Sequence, residues 1–474
     1  MGDSSLWVAL PMKSWLKCAI CSDFPHKIQK QVNIKALQVI LALSLLILIH
    51  EFGHFFFAKI FGIRVDKFYL FFDTGEFKLF STKSKWFIKL CPKAEKWETE
   101  YGIGWLPLGG YCKIAGMIDE SLDTDQMASE PQPWEFRTKP AWQRLFVMAG
   151  GVLMNFLLAI CIYIGILAGW GESYISTEGN KIYVNELAYE MGFRTGDQIL
   201  SFDDYKPENF AMLQADLARN NVSKATVIRQ TDTVDLYIDQ NRIGEVLQTP
   251  GMFDLALPFV IGEVPETSVN YGEDLQPGDQ IVRIGEEKVE YVQDSRPLLQ
   301  SLAGNNSSIT IIRQADTLVK DVKIDTAGHI GVLLQQPEIR TKEYNLLSAI
   351  PAGFKKTFST IGGYLQDLKL VFTPRTEAYK SVGSFISIGK IFPPVWDWYS
   401  FLSLLAMFSI MLGVMNLLPI PAIDGGHIVF TLYEIITRRK PSDKFLMVTQ
   451  IIGMILVFGL MILAFGNDIF RLFR

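Results

Sequence analysis

Histidine and cysteine are scarce in this chain, with five of each among 474 residues. The cysteines (Cys18, Cys21, Cys91, Cys112 and Cys161) are scattered and odd in number, so no disulfide framework is implied. Cys18 and Cys21 form a lone CxxC without a second pair to complete a metal site, and cysteine says little about compartment. A basic excess is missing as well. Net charge is −5, which argues against a nucleic-acid partner. The first 33 residues hold no uninterrupted apolar stretch followed by a small-residue cleavage site, so no cleaved signal peptide is expected. Apolar bulk is what the chain has: 49% hydrophobic residues, 33 of them Phe, point to an integral membrane protein with soluble parts.

Four spans are expected after an N-terminal extension at 1–33. The first covers 34–63, the second 144–171 behind the interfacial Trp142-Gln143-Arg144, the third 399–428 with Pro419 and Pro421 breaking it, and the fourth 444–466. Between spans one and two, residues 64–143 contain an aromatic strand-like piece, Phe68–Phe72, and a charged patch, Lys78–Glu100. The Gly-rich Tyr101–Lys113 follows and reads as a β-hairpin or looped sheet, then an acidic loop at Asp119–Glu130. Asn155, inside span two, is expected to join helices rather than to catalyse. The Lys/Arg-rich loops at 62–143 and 438–444 should be cytoplasmic, which leaves both termini and the segment after span two outside.

That segment contains an internal repeat. Arg194-Thr-Gly-Asp-Gln-Ile-Leu200 matches Gln276-Pro-Gly-Asp-Gln-Ile-Val282, and Ile228-Arg-Gln-Thr-Asp-Thr233 matches Ile312-Arg-Gln-Ala-Asp-Thr317. The offsets of 82 and 84 residues suit two tandem small domains, 172–255 and 256–337. Each copy should run strand, Gly-Asp turn, strand, helix (Pro207–Arg219; Asp294–Leu302) and closing strands, an order that resembles PDZ domains. Within 338–398, Tyr344–Phe372 has the apolar spacing of an amphipathic helix lying on the membrane or against the repeat.

The sharpest chemical signal is His50-Glu51-Phe52-Gly53-His54 in span one. One helical turn apart, both imidazoles can hold one Zn²⁺, and Glu51 beside them can deprotonate a metal-bound water. Ionisable residues in a spanning helix are costly, which makes these functional candidates. A catalytic zinc needs a third protein ligand; Asp424, in a Pro-broken segment followed by Gly425-Gly426, is the best candidate, and His427 is a competitor that spacing alone does not exclude. Asn416, about two turns upstream, could donate to an oxyanion or clamp a substrate backbone. A peptide bond inside a spanning helix is already hydrogen-bonded, so a substrate would have to unwind first. Strand edges around Gly102, Gly104, Gly109 and Gly110 could hold the unwound piece as an added strand.

HEFGH in span one, NLLPIPAIDGGH at 416–427 and the PDZ-like pair together resemble the site-2 protease family of intramembrane zinc metalloproteases, its regulator of sigma-E protease (RseP) group above all. The resemblance implies a mixed membrane protein: four transmembrane helices, a membrane-re-entrant β-loop formed by GIGWLPLGGYCKIAG, and two tandem PDZ domains (α+β, β-sandwich-like) between spans two and three. It implies zinc held by His50, His54 and Asp424, Glu51 as general base and Asn416 as a catalytic, substrate-binding residue. It implies an endopeptidase cutting within transmembrane segments of single-span proteins: anti-sigma-factor-like proteins already cut by a site-1-type protease, and signal-peptide remnants. Membrane lipid is a further implied partner. The implied location is the bacterial inner membrane, with the active site toward the cytoplasm and the PDZ pair periplasmic as a size filter. The sequence departs from the family in its long start, where Met12 is a second candidate initiator, and in Gly151-Val152 where the family has Gly-Pro. A charged insertion at about Ser81–Lys96 is the third departure.

Overall fold

The computed structural model describes residues 24–73, 77–117, 130–376, 378–381 and 383–472; the CxxC and most of the acidic loop lie outside them. The chain divides into two units, one formed by 172–342 with 373–378, the other by the remaining helices and the sheet between the first two spans.

The helical unit starts with α1 (Phe24–Ile60), which has Pro25 in its first turn, where the missing N–H is harmless. It ends in a left-handed Gly62, with Ile63 N–H reaching Ala58 O at 2.8 Å and Gly62 N–H reaching Lys59 O. The chain then forms β1 (Val65–Phe72), β2 (Lys78–Ser81), α2 (Lys85–Leu90), β3 (Glu100–Gly104) and β4 (Leu106–Ile114). The sheet order is β2-β3-β1-β4. The Gly-rich stretch is therefore not a hairpin. Its two strands flank β1, with β3 parallel to it and β4 antiparallel, so the looped-sheet alternative holds. Small residues serve this sheet: a Cβ on Gly102 would enter the Tyr69 ring, one on Gly109 the Phe72 ring, and one on Gly104 the Phe71–Phe72 backbone. Next, α3 (Ala141–Trp170) leaves Pro140 and crosses α1 where Gly53 meets Gly150 backbone to backbone. Around that crossing Ala58, Ile63, Val65, Ile114, Val147 and Met148 form a closed core.

The second unit holds two copies of one plan. The first comprises β5 (Glu172–Tyr174), β6 (Ile182–Val184), α4 (Glu186–Glu190), β7 (Gln198–Phe202), α5 (Leu213–Arg219), β8 (Lys224–Arg229), β9 (Asp232–Tyr237), α6 (Ile243–Gln248) and β10 (Phe253–Leu255). The second comprises β11 (Ile261–Glu263), β12 (Gln280–Ile284), β13 (Glu287–Lys288), α7 (Val292–Ser301), β14 (Asn306–Arg313), β15 (Asp316–Lys323) and β16 (Leu333–Leu334); β17 (Arg340–Lys342) then returns to pair with β5. The repeated residues have a common job. Asp197 takes Arg229 in a two-point ion pair at 2.8 and 2.9 Å, and Asp279 takes Arg313 at 2.7 and 2.8 Å. The same two aspartates accept the backbone N–H of Arg194 and Gln276, both at 2.9 Å. Gln230 and Gln314 turn the following hairpins with an identical left-handed φ of 58°. Each copy closes its own core, around Phe193, Phe202 and Leu217 in the first and Ile281, Ile309 and Ile311 in the second.

The helical unit resumes with α8 (Leu346–Val371), α9 (Phe385–Ile391), α10 (Trp398–Leu417), α11 (Asp424–Thr437) and α12 (Asp443–Leu472). Helix α8 turns small residues inward, with Gly353 against Ile164 of α3, and leaves Leu347, Phe354 and Phe358 exposed. Helix α10 stops before Pro419 and Pro421, and Asp424 begins a separate helix. Among the described residues, four helical segments are long and apolar enough to cross a membrane: Ile34–Ile60, Ala141–Trp170, Trp398–Leu417 and Lys444–Phe470. This is a membrane protein with an appended β-rich unit.

Candidate metal centre

His50, Glu51 and His54 occupy the last turns of α1, where α3 crosses it. The crossing is tight because α3 has Gly151 there: a Cβ at that position would stand 2.5–2.6 Å from ring atoms of both histidines. With no side chain in the way, Val147, Gly151 and Asn155, on one face of α3, address the imidazoles directly.

The Val147 carbonyl lies 2.8 Å from His54 Nδ1. A carbonyl only accepts, so in the neutral ring Nδ1 carries the proton and Nε2 keeps its lone pair. Asn155, fully buried, lies 3.1 Å from His50 Nδ1. With its Nδ2 toward the ring, Oδ1 is buried without a partner; a half-turn of the amide presents Oδ1 to the ring's Nδ1–H. That orientation leaves the His50 Nε2 lone pair facing the same point as that of His54. Sequence reading assigned Asn155 to helix joining. Its backbone does join helices, accepting from Ser409 Oγ of α10 at 2.7 Å, but its side chain faces the histidine. The readable trace was the pattern Val147-x₃-Gly151-x₃-Asn155, one helix face with a gap in it.

Asp424 arrives from the other side, at the first position of α11. The turn before it is compressed: a Cβ on Gly425 would strike the Leu418 carbonyl, and one on Gly426 would strike Pro421. Asp424 Oδ2 lies 3.2 Å from His50 Nε2 and 3.3 Å from His54 Nε2, and the two Nε2 atoms are 3.4 Å apart. Zinc bonds of roughly 2.0–2.1 Å at tetrahedral angles place neighbouring ligand atoms about 3.4 Å apart, so this triangle matches one face of a zinc tetrahedron. The chemistry agrees. Asp424 Oδ2 is buried with no hydrogen-bond partner, and two imidazole lone pairs converge on it, an arrangement that calls for a cation. Among the described residues, His427 is outside this ligand group.

Two further groups border the triangle. Asn416 Nδ2 lies 3.1 Å from His50 Nε2. The Glu51 carboxylate lies near the backbone N–H of Cys112, on β4. Of the four glycines singled out, only Gly110 approaches the centre: its Cβ would stand 2.7 Å from Ile47 and 3.6 Å from Glu51 Cγ. Gly102, Gly104 and Gly109 pack within the sheet instead.

Comparison with known proteins is consistent with this chemistry. The sequence profile described as Peptidase family M50 matches residues 38–460. The regulator of sigma-E protease RseP of Salmonella typhimurium is 27% identical over 466 residues, covering 91% of this chain and 98% of its own. The metalloprotease MmpA of Caulobacter vibrioides is 26% identical over 456 residues, covering 92% and 96%. A protein of Rickettsia conorii named as a zinc metalloprotease is 26% identical over 437 residues, covering 92% and 98%.

Proposed function

The chain belongs to peptidase family M50, the site-2 proteases, and is a zinc metalloprotease of the membrane; from that premise we propose an intramembrane endopeptidase acting on the transmembrane segments of single-span proteins. The observation that carries the proposal is the His50–His54–Asp424 triangle, lying among helices apolar enough to span a bilayer. In this reading those three residues hold zinc. When bound, zinc supplies a Lewis acid and a water acidic enough to be activated near neutral pH. Glu51 takes a proton from the attacking water and returns it to the departing amine. Asn416 has an amide N–H to offer the oxyanion or the substrate backbone.

A spanning substrate has no free backbone groups until it unwinds, and β4 is an edge strand with Gly110 beside Glu51. An unwound segment laid along β4 would exchange its helical hydrogen bonds for ladder bonds next to the reacting groups. In this reading the sheet is the re-entrant loop, and the two copies of the β-rich unit are PDZ domains outside the membrane that filter substrates by size. The Lys/Arg-rich loops support a cytoplasmic active site in a bacterial inner membrane. Relatives named for sigma-E regulation support anti-sigma-factor-like substrates, already shortened by a site-1-type protease, with signal-peptide remnants as a second class.

The test pairs metal analysis with cleavage of a single-span reporter containing helix-weak residues, in wild type and Glu51→Gln. One zinc per chain in both, with cleavage in wild type alone, is the expected result. Reporter cleavage that survives Glu51→Gln would overturn the assignment of the base.

A further inference from the structure

The lobe between β2 and β3 has no part in the chemistry above, yet it is built with care. Between Lys78 and Trp97 there are six lysines and one acidic residue, Glu95. Two of the lysines are structural. Lys78 pairs with Glu100 at 3.0 Å, and the Lys83 ammonium donates to the carbonyls of Ala94, Glu95 and Trp97 at 3.1, 2.9 and 2.7 Å. The second set of bonds staples the lobe closed. Lys85, Lys89, Lys93 and Lys96 are exposed and, among the described residues, make no side-chain hydrogen bond or ion pair. Among them stand two large apolar side chains that the fold leaves in the open, Trp86 at 59% exposure and Leu90 at 75%.

The lobe's position says what covers it. Lys59, in the last turn of the first span, bonds Glu98 at 3.1 Å, which fixes the lobe's exit at the end of that span. An aromatic seam continues from there. Phe52 and Phe56 lie on the exposed face of α1, and Phe52 meets Phe55 with ring centroids 6.4 Å apart. Phe55 meets Tyr101 at 6.0 Å, Tyr101 meets Trp97 at 6.1 Å, and Trp97 meets Phe87, the neighbour of Trp86, at 6.4 Å. The aromatic seam thus runs from the exposed face of α1 to the exposed Trp86, with the exposed Leu90 one turn further along α2 and the four exposed lysines around them. Tryptophan and lysine at the end of a span are what a bilayer interface selects.

We propose that the 81–97 lobe lies on the bilayer surface, with Trp86 and Leu90 entering the headgroup layer and Lys85, Lys89, Lys93 and Lys96 binding anionic phospholipid headgroups. The lobe is a lipid-reading foot attached beside the sheet. The proposal rests on the four-span reading alone and stands whether or not the chain cleaves anything.

The test is hydrogen exchange of the full chain in lipid nanodiscs, one set of neutral phosphatidylcholine and one containing roughly 30% phosphatidylglycerol. Amides within 85–97 should exchange about fivefold more slowly on the anionic discs, while those of β14 and β15 stay the same. About 0.5 M NaCl should return the wild-type lobe to its neutral-lipid rate. The K85Q/K89Q/K93Q/K96Q variant should lose the difference while β2 and β3 keep wild-type exchange. Equal exchange on both disc types would overturn the proposal and leave the patch to an acidic protein surface. Salt-resistant protection on the anionic discs would overturn the headgroup assignment.

Discussion

Asn155 lies 3.1 Å from Nδ1 of His50, on the side of the ring away from Asp424. A group in that position chooses which nitrogen holds the proton, and so which nitrogen is free for a metal. Asn155→Ala should therefore weaken zinc binding by about 10–100-fold, read by competition against a chromophoric chelator. Asn155→Asp, which keeps an acceptor at the same place, should stay closer to wild type. Equal affinity in Asn155→Ala and wild type would return the residue to helix joining.

Gly151 is the gap through which α3 reaches both histidines. Its Cβ would stand 2.5 Å from His50 Cε1 and 2.6 Å from His54 Nε2, with ring atoms that have nowhere to retreat. Gly151→Ala should lose zinc and cleavage together while still inserting as a four-span protein, with a stability cost on the order of 1–3 kcal/mol. Metal stoichiometry on the detergent-purified variant is the measurement. A full zinc complement would show that the crossing can widen.

Asp279 gives a pH test away from the membrane. The Arg313 hydrogen bonds, together with the Gln276 N–H, outweigh its burial and hold its carboxyl below the ordinary range. A depressed folded pKa contributes stability that is complete above the unfolded value of about 3.9 and is lost as pH falls through the folded value. The second repeat should therefore loosen below about pH 4, read as faster proteolysis within 259–334. Arg313→Met should loosen it already at neutral pH by about 2–3 kcal/mol, because it leaves a carboxylate whose side chain is 1% exposed without its partner.

What could be read in the sequence was what depends on near neighbours. Four apolar runs and the one-turn spacing of His50 and His54 are local facts, and Pro419 and Pro421 announce a helix end wherever they are placed. The repeat was visible as letters, but the reason for it, Asp197 gripping Arg229 and Asp279 gripping Arg313, joins residues more than thirty apart. The Gly-rich stretch reads as a hairpin or a looped sheet, and neighbouring strands usually pair; here β1, already laid down, separates β3 from β4, which only the looped sheet allows. Val147 and Asn155 were missed for the same reason. The one local trace is the Val147-x₃-Gly151-x₃-Asn155 face, and nothing in the chain near it announces that α3 will cross α1 at Gly53 and bring that face to the rings.

Asp424 is the third ligand the sequence favours and His427 its competitor, and the two make opposite forecasts. Asp424 Oδ2 closes a triangle with edges of 3.2, 3.3 and 3.4 Å, whereas His427 is outside the ligand group. If Asp424 is the ligand, Asp424→Ala leaves two imidazoles, too few for a stable tetrahedral site, so zinc content and activity should fall together. His427→Ala should keep one zinc per chain. Asp424→Asn separates charge from geometry: it retains an oxygen at the same place but no negative charge, and should bind zinc more weakly than wild type yet better than alanine. Full zinc in Asp424→Ala together with loss of zinc in His427→Ala would move the third ligand one helical turn onward, and the orphaned Oδ2 would then need another partner.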